Sequence, residues 1–183
     1  MVRQVHLFDA PERFVVGTVG QPGERAFFLQ ARSGSRLISV ALEKAQVVVL
    51  AERLEELLDA VAARTPGFPE KPDVVVDDIA PLEAPITEEF SVGALGLGWN
   101  GETDRLVIEA HAATEGDVEI PDLETGDDDD PDVLRVRVSA VVGRAFIQRA
   151  RNVVSAGRPP CPFCQQPLDP RGHICPRANG YHR

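Results

Sequence analysis

Residues 36–58 read "RLISVALEKAQVVVLAERLEELL", and residues 133–154 read "VLRVRVSAVVGRAFIQRARNVV". Each stretch opens with apolar residues at alternate positions, the period of a strand with one buried face. Each then passes, with no loop between, into apolar residues three and four apart, the period of an amphipathic helix. In the first helix Val47, Leu50, Leu54, Leu57, Leu58 and Val61 form the apolar stripe, and Glu52, Arg53, Glu55, Glu56 and Asp59 fill the other side. In the second, Val142, Ala145, Phe146, Ala150 and Val153 face inward, and Arg144, Arg149 and Arg151 fall largely elsewhere on its surface. Ser139 is placed to cap its start and Gly157 to stop it.

The flanking residues extend the pattern into an internal repeat. "RQVHLFD" (3–9) and "RFVVGTVG" (13–20), joined by "APE", read as one hairpin. "RAFFLQA" (25–31) and "RLISVAL" (36–42), joined by "RSGS", read as another. In the second half "FSVGALGLGW" (90–99), "NGETD" and "RLVIEAHAA" (105–113) form a third hairpin. Leu95, Leu97 and Trp99 share one face of it, with Gly96 and Gly98 on the other.

The expected organisation is a first β-meander plus helix over 1–64 and a Pro-rich acidic connector over 65–88. A second hairpin, strand and helix follow over 89–157, and a metal-binding tail over 158–183. Within the second unit, residues 115–132 contain "GDDDDPD" and almost nothing apolar, which predicts a disordered loop. The fold class is α+β: two β-meander-plus-helix units sharing an antiparallel, two-layer architecture with both helices on one face.

Charge divides the 183 residues unevenly. Net charge is −10, but residues 1–130 carry ten Lys and Arg against 27 Asp and Glu, while residues 131–183 carry nine Arg, no Lys and two Asp. The acidic total speaks against general nucleic-acid binding, and the arginine-rich end leaves room for a local anionic partner such as RNA. Arginine without lysine also suits bidentate pairing with the chain's own carboxylates. No apolar run reaches the roughly 20 residues of a membrane span. The start of the chain has no signal-peptide pattern, so the expected compartment is the cytoplasm.

All three cysteines and two of the four histidines lie in the tail "CPFCQQPLDPRGHICPRANGYHR" (161–183). In a reducing compartment such clustering points to metal before disulfide. Cys161-x2-Cys164 supplies two thiolates from one turn, and His173-x-Cys175 supplies two more donors, a set that suits tetrahedral zinc. His182 is the alternative to His173. A tail this short has no core of its own, and a structural Zn2+ contributes on the order of 10 kcal/mol of folding energy.

The tail, with "RFVVGTVGQPGERAFFLQAR" (13–32), "SVALEKAQV" (39–47) and "HICPRANGY" (173–181), resembles an actinobacterial family of unknown function, commonly labelled conserved hypothetical or "repeat" proteins. The resemblance implies a C-terminal Cys/His knuckle, which Cys161, Cys164, His173 and Cys175 match, as do Arg177, Asn179, Gly180 and Tyr181. His182 matches less well. It also implies genomic neighbours resembling a phosphomutase and a lipid kinase, and carries over no catalytic residue.

Three functions compete. The leading one is a non-enzymatic zinc-binding interaction or adaptor protein with a protein partner, its surface drawn from Arg144, Arg149, Arg151, Arg177, Asn179 and Tyr181. The second is a zinc-dependent hydrolase-type enzyme with water as fourth ligand, although Asp169 is the one carboxylate in the knuckle. The third is a nucleic-acid or phosphate-ligand binder using the arginines, although Phe163 and Tyr181 are the only aromatics there. No P-loop, nucleophile elbow or EF-hand pattern is present.

Overall fold

The computed structural model describes residues 3–68, 78–114, 130–157, 160–166, 168, 173 and 175–177. Strands β1 (Val5–Asp9), β2 (Arg13–Val19), β3 (Ala26–Ser33) and β4 (Arg36–Leu42) lead into helix α1 (Lys44–Arg64). Strands β5 (Glu88–Asn100), β6 (Arg105–Ala112) and β7 (Val133–Val138) lead into α2 (Ala140–Ser155). A single residue, Glu43 or Ser139, separates strand from helix in each half. Ser139 Oγ accepts the Val142 N–H at 3.3 Å, as a cap should. At the other junction the Glu43 N–H donates to Gln46 Oε1 at 2.8 Å, and Gln46 Nε2 donates to the Val92 carbonyl at 2.9 Å, tying α1 to β5.

The architecture is α+β, a seven-stranded sheet in the order β1-β7-β6-β5-β4-β3-β2 with two helices. Pairing within β2–β3–β4 and within β5–β6–β7 is antiparallel. The halves join through parallel pairing of β4 with β5, because α1 is the crossover that returns the chain to its starting end. The hairpin expected between residues 3–9 and 13–20 does not form. β1 pairs instead in parallel with β7, from Val5–Val133 to Asp9–Arg137, and covers an edge that β7 would otherwise leave open.

β1 and β2 are thus opposite edges of one sheet, yet only Ala10, Pro11 and Glu12 lie between them. Three linking residues reach about 14 Å at most, whereas six flat inter-strand spacings come to about 29 Å. The sheet must therefore curl. Its inner face, with Phe8, Phe14, Val16, Leu29, Val40, Ile108 and Val136, closes around Leu50, Leu54 and Leu58 of α1 and Phe146 and Ile147 of α2. The rings of Phe14 and Phe146 stack 4.8 Å apart.

Several side chains depart from the expected pattern. Val142, expected inside, is exposed, and Ile147 takes its place in the core. Arg144 and Arg149, expected on the surface, are buried, because each finds a partner there. Arg144 pairs with Asp59 of α1 at 2.9 Å, and Arg149 binds main-chain carbonyls on β2 and in the connector. Arg151 stays half-exposed and pairs with Glu55 of α1. The acidic side of α1 and the basic side of α2 therefore meet, with Asp59 and Glu55 of the first half paired to Arg144 and Arg151 of the second.

The connector is more than a linker. Residues 69–77 lie outside the described residues, but from Asp78 the chain straps the outer face of β2–β4. Leu82 packs on Val15 and Phe28. The buried Gln30 binds Glu83 on both sides: Nε2 donates to its carbonyl at 3.0 Å, and Oε1 accepts its N–H at 2.8 Å. Residues 115–129 of the acidic loop also lie outside the described residues. Its end is seated: Asp132 Oδ1 accepts the Gln4 N–H at 2.7 Å, and its carbonyl accepts the Ala112 N–H at 2.8 Å. Leu95, Leu97 and Trp99 pack on the core as expected, with Phe68 edge-on to Trp99 at 5.4 Å. Among the described residues no helix is long and apolar enough to cross a membrane.

Candidate metal centre

α2 ends at Ser155, and the described chain resumes at Pro160 with a tight knuckle. The Gln165 N–H donates to the Cys161 carbonyl at 2.9 Å, and the Cys161 N–H donates to the Gln166 carbonyl at 2.7 Å. Gln165 takes the left-handed conformation, φ 62°, that this reversal demands. The turn leaves the Cys161 and Cys164 side chains on one side. His173 and Cys175 approach from the later part of the tail, and Arg177 Nη1 donates to the Phe163 carbonyl at 3.3 Å, tying that part back to the knuckle.

The ligand atoms of Cys161, Cys164, His173 and Cys175 all lie within 4.8 Å of one another. Cys161 Sγ and Cys175 Sγ are 3.8 Å apart, and Cys164 Sγ and His173 Nε2 are 3.1 Å apart. A tetrahedral ion with Zn–S bonds of about 2.3 Å sets its sulfurs about 3.8 Å apart. The thiol pair already has that spacing, and the imidazole closes in slightly. Cys161 and Cys175 are buried, while Cys164 and His173 are partly exposed. The four residues are therefore close enough together to hold a metal ion, and their donor chemistry suits a borderline-soft cation.

The main chain prepares the site for an anionic sulfur. The N–H groups of Cys164 and Phe163 point at Cys161 Sγ and lower its pKa to about 6 against the burial that opposes them. Burial pushes the Cys164 thiol up, and the Gln166 N–H partly offsets this. The two cysteines of one knuckle thus differ in how readily they ionise without a cation. A bound cation would favour the thiolate at both.

All four sequence-derived ligands meet in one place. His182, Asn179 and Tyr181 lie outside the described residues. Arg177 is exposed beside the knuckle, far in role from Arg144, Arg149 and Arg151, which are held within the body. What the side-chain pattern did not reveal is the part played by Gln165 and Gln166, which act through their main chain. A turn of this kind usually places glycine where Gln165 stands, so composition gives no signal for it.

The chain thus carries two strand-to-helix junctions of the same form and a Cys/His cluster after the second. The model of a family described as "Protein of unknown function (DUF3090)" matches residues 6–175, from the second residue of β1 to the last of the four clustered ligands. The chain belongs to that family. No curated protein and no solved structure matches it.

Proposed function

For this member of the DUF3090 family we propose a non-enzymatic interaction or adaptor protein of the cytoplasm, whose C-terminal knuckle is held by a structural zinc ion. The observation that carries this reading is the donor set: three thiols and one imidazole within 4.8 Å of one another. Four protein ligands complete a tetrahedron, and a complete shell has no position for a reactive water. His173 rather than His182 is the fourth ligand in this reading.

The partner surface is the outside of the knuckle. Phe163, between the first two cysteines, is 62% exposed, and the exposed Arg177 reaches its carbonyl. An exposed aromatic beside an arginine, on a turn fixed by metal, matches the residue types that dominate protein interfaces. The partner is accordingly a protein. The paired strand-helix units of the body, which we read as an internal duplication, supply a rigid mount for it.

The test joins metal to binding. Host extract is passed over immobilised wild-type chain, and over Cys164→Ser and Phe163→Ala variants. The reading expects a protein retained by the wild type and lost from both variants, while the melting of the body is preserved. Equal retention by all three, or a metal-dependent hydrolysis by the wild type, would contradict it.

A further inference from the structure

Away from the metal centre, a cavity of about 520 Å³ opens between the β2–β3 turn, the first turn of α1 and the last turn of α2. Arg25 and Lys44 line it together with Phe27, Val154 and Ser155, and among the described residues no carboxylate does. Lys44 is the first residue of α1, and its Nζ lies 3.9 Å from where a Cβ on Gly157 would sit, so the ammonium reaches across the mouth toward the end of α2. The Nε of Arg25 is shielded from solvent and has no hydrogen-bond partner.

Several of this protein's arginines are held by its own carboxylates. Arg13 is bound by Asp78 and Glu83, Arg32 by Glu12 and Glu83, Arg144 by Asp59 and Arg151 by Glu55. The chain has 29 acidic residues against 19 basic ones, so carboxylates are in surplus. Yet among the described residues neither Arg25 nor Lys44 has an ion-pair partner, and both face the same concavity. A shielded guanidinium N–H left without an acceptor is destabilising unless something else supplies one. The turn carrying Arg25 is fixed in advance: Gly20 sits at φ 97°, where an added Cβ would meet the Glu24 carbonyl oxygen at 2.7 Å.

The remaining wall is apolar. Phe27 is buried at the base and Val154 closes one side. The cavity has the size of a small-molecule site, which typically measures roughly 300–1,000 Å³. Two unpaired cations match a dianion, and a phosphate monoester carries between about −1.5 and −2 near neutral pH. We propose that this cavity binds a phosphorylated small molecule, with its phosphate between Arg25 and Lys44 and its organic part against Phe27 and Val154. All the residues involved belong to the body, so the site does not depend on the knuckle or its metal.

Calorimetric titration of the full chain with phenyl phosphate and with inorganic phosphate tests this. One phenyl phosphate should bind per chain, more tightly than inorganic phosphate, because the ring gains the apolar wall. Arg25→Gln and Lys44→Gln should each weaken binding about tenfold or more. Arg53→Gln, on the exposed side of α1, should leave it unchanged, and Cys164→Ser should bind as the wild type does. Lys44 is exposed, so its variant is informative even if Arg25→Gln folds poorly. Absence of binding by either probe would overturn the proposal. So would binding that survives Lys44→Gln, or that Arg53→Gln weakens equally.

Discussion

Arg149, on α2, donates from Nε to the main-chain carbonyl of Val16, on β2, at 2.6 Å across 133 residues of sequence. Its Nη2 donates to the Ala80 carbonyl at 2.8 Å, and its Nη1 reaches the carbonyl and carboxylate of Asp78. β2 is an edge of the sheet, and an uncovered edge strand invites pairing with another chain. The guanidinium supplies donors where a further strand would have stood and holds the connector against the same edge. At the opposite edge Arg36 does similar work, donating to the Leu7 carbonyl at 2.8 Å with its guanidinium 4.4 Å from the Phe8 ring centre.

Replacing Arg149 should therefore cost far more than replacing its neighbour. Arg149→Met leaves buried carbonyls unpaired and should destabilise by roughly 3–5 kcal/mol. Arg151→Met removes a half-exposed pair and should cost about 1 kcal/mol or less. Urea unfolding of both variants measures the contrast. Equal effects would mean that Arg149 is not the edge clamp described.

Acid should weaken the same clamp. The Arg13 guanidinium, bound to Asp78 at 2.9 Å, holds the Asp78 carboxyl below the usual carboxylate range. A lowered folded-state pKa adds stability above the unfolded value of about 3.9. That stability is lost as pH falls through the folded value. Wild type and Asp78→Asn should differ in denaturation midpoint at neutral pH and converge below about pH 4. A gap that stays constant through that range would contradict the assignment.

The strap should behave as part of the core. A Cβ added to Gly17 would lie 2.6 Å from Leu82 Cγ, so the glycine on β2 is what lets Leu82 seat. Leu82→Ala should cost about 2 kcal/mol, the lower end for buried leucines, and Gly17→Ala should be destabilising on its own. In a Leu82→Ala background Gly17→Ala should become nearly harmless. Additive effects in the double-mutant cycle would show that the two residues do not meet.

Much of this was legible in the sequence because it was local. The strand-to-helix switches at Glu43 and Ser139, the inward Leu95, Leu97 and Trp99, and the clustering of Cys161, Cys164 and Cys175 with a histidine follow from spacing, which left His173 and His182 both open as the fourth ligand. What spacing could not reveal depends on partners far away. β1 reads like half of a hairpin, but its best partner is β7, more than a hundred residues later. Arg144 and Arg149 sit at positions that a binary pattern assigns to solvent. Arg144 is buried with Nη2 on Asp59, and Arg149 is buried with its three nitrogens on Asp78 and the Val16 and Ala80 carbonyls, which offsets the cost of taking the charge inside. Leu82, isolated between prolines and acids, gave no periodic signal at all.

The most direct test of the account is the coordination of the metal in chain purified without chelator, read by elemental analysis together with X-ray absorption at the zinc edge. The account predicts one zinc per chain, with three sulfurs at about 2.3 Å and one nitrogen at about 2.0–2.1 Å. Cys164→Ser should lose the ion, and His182→Ala should keep it. A chain that carries no zinc while Cys161, Cys164, His173 and Cys175 stay together, or an ion with an oxygen in its fourth position, would contradict the account.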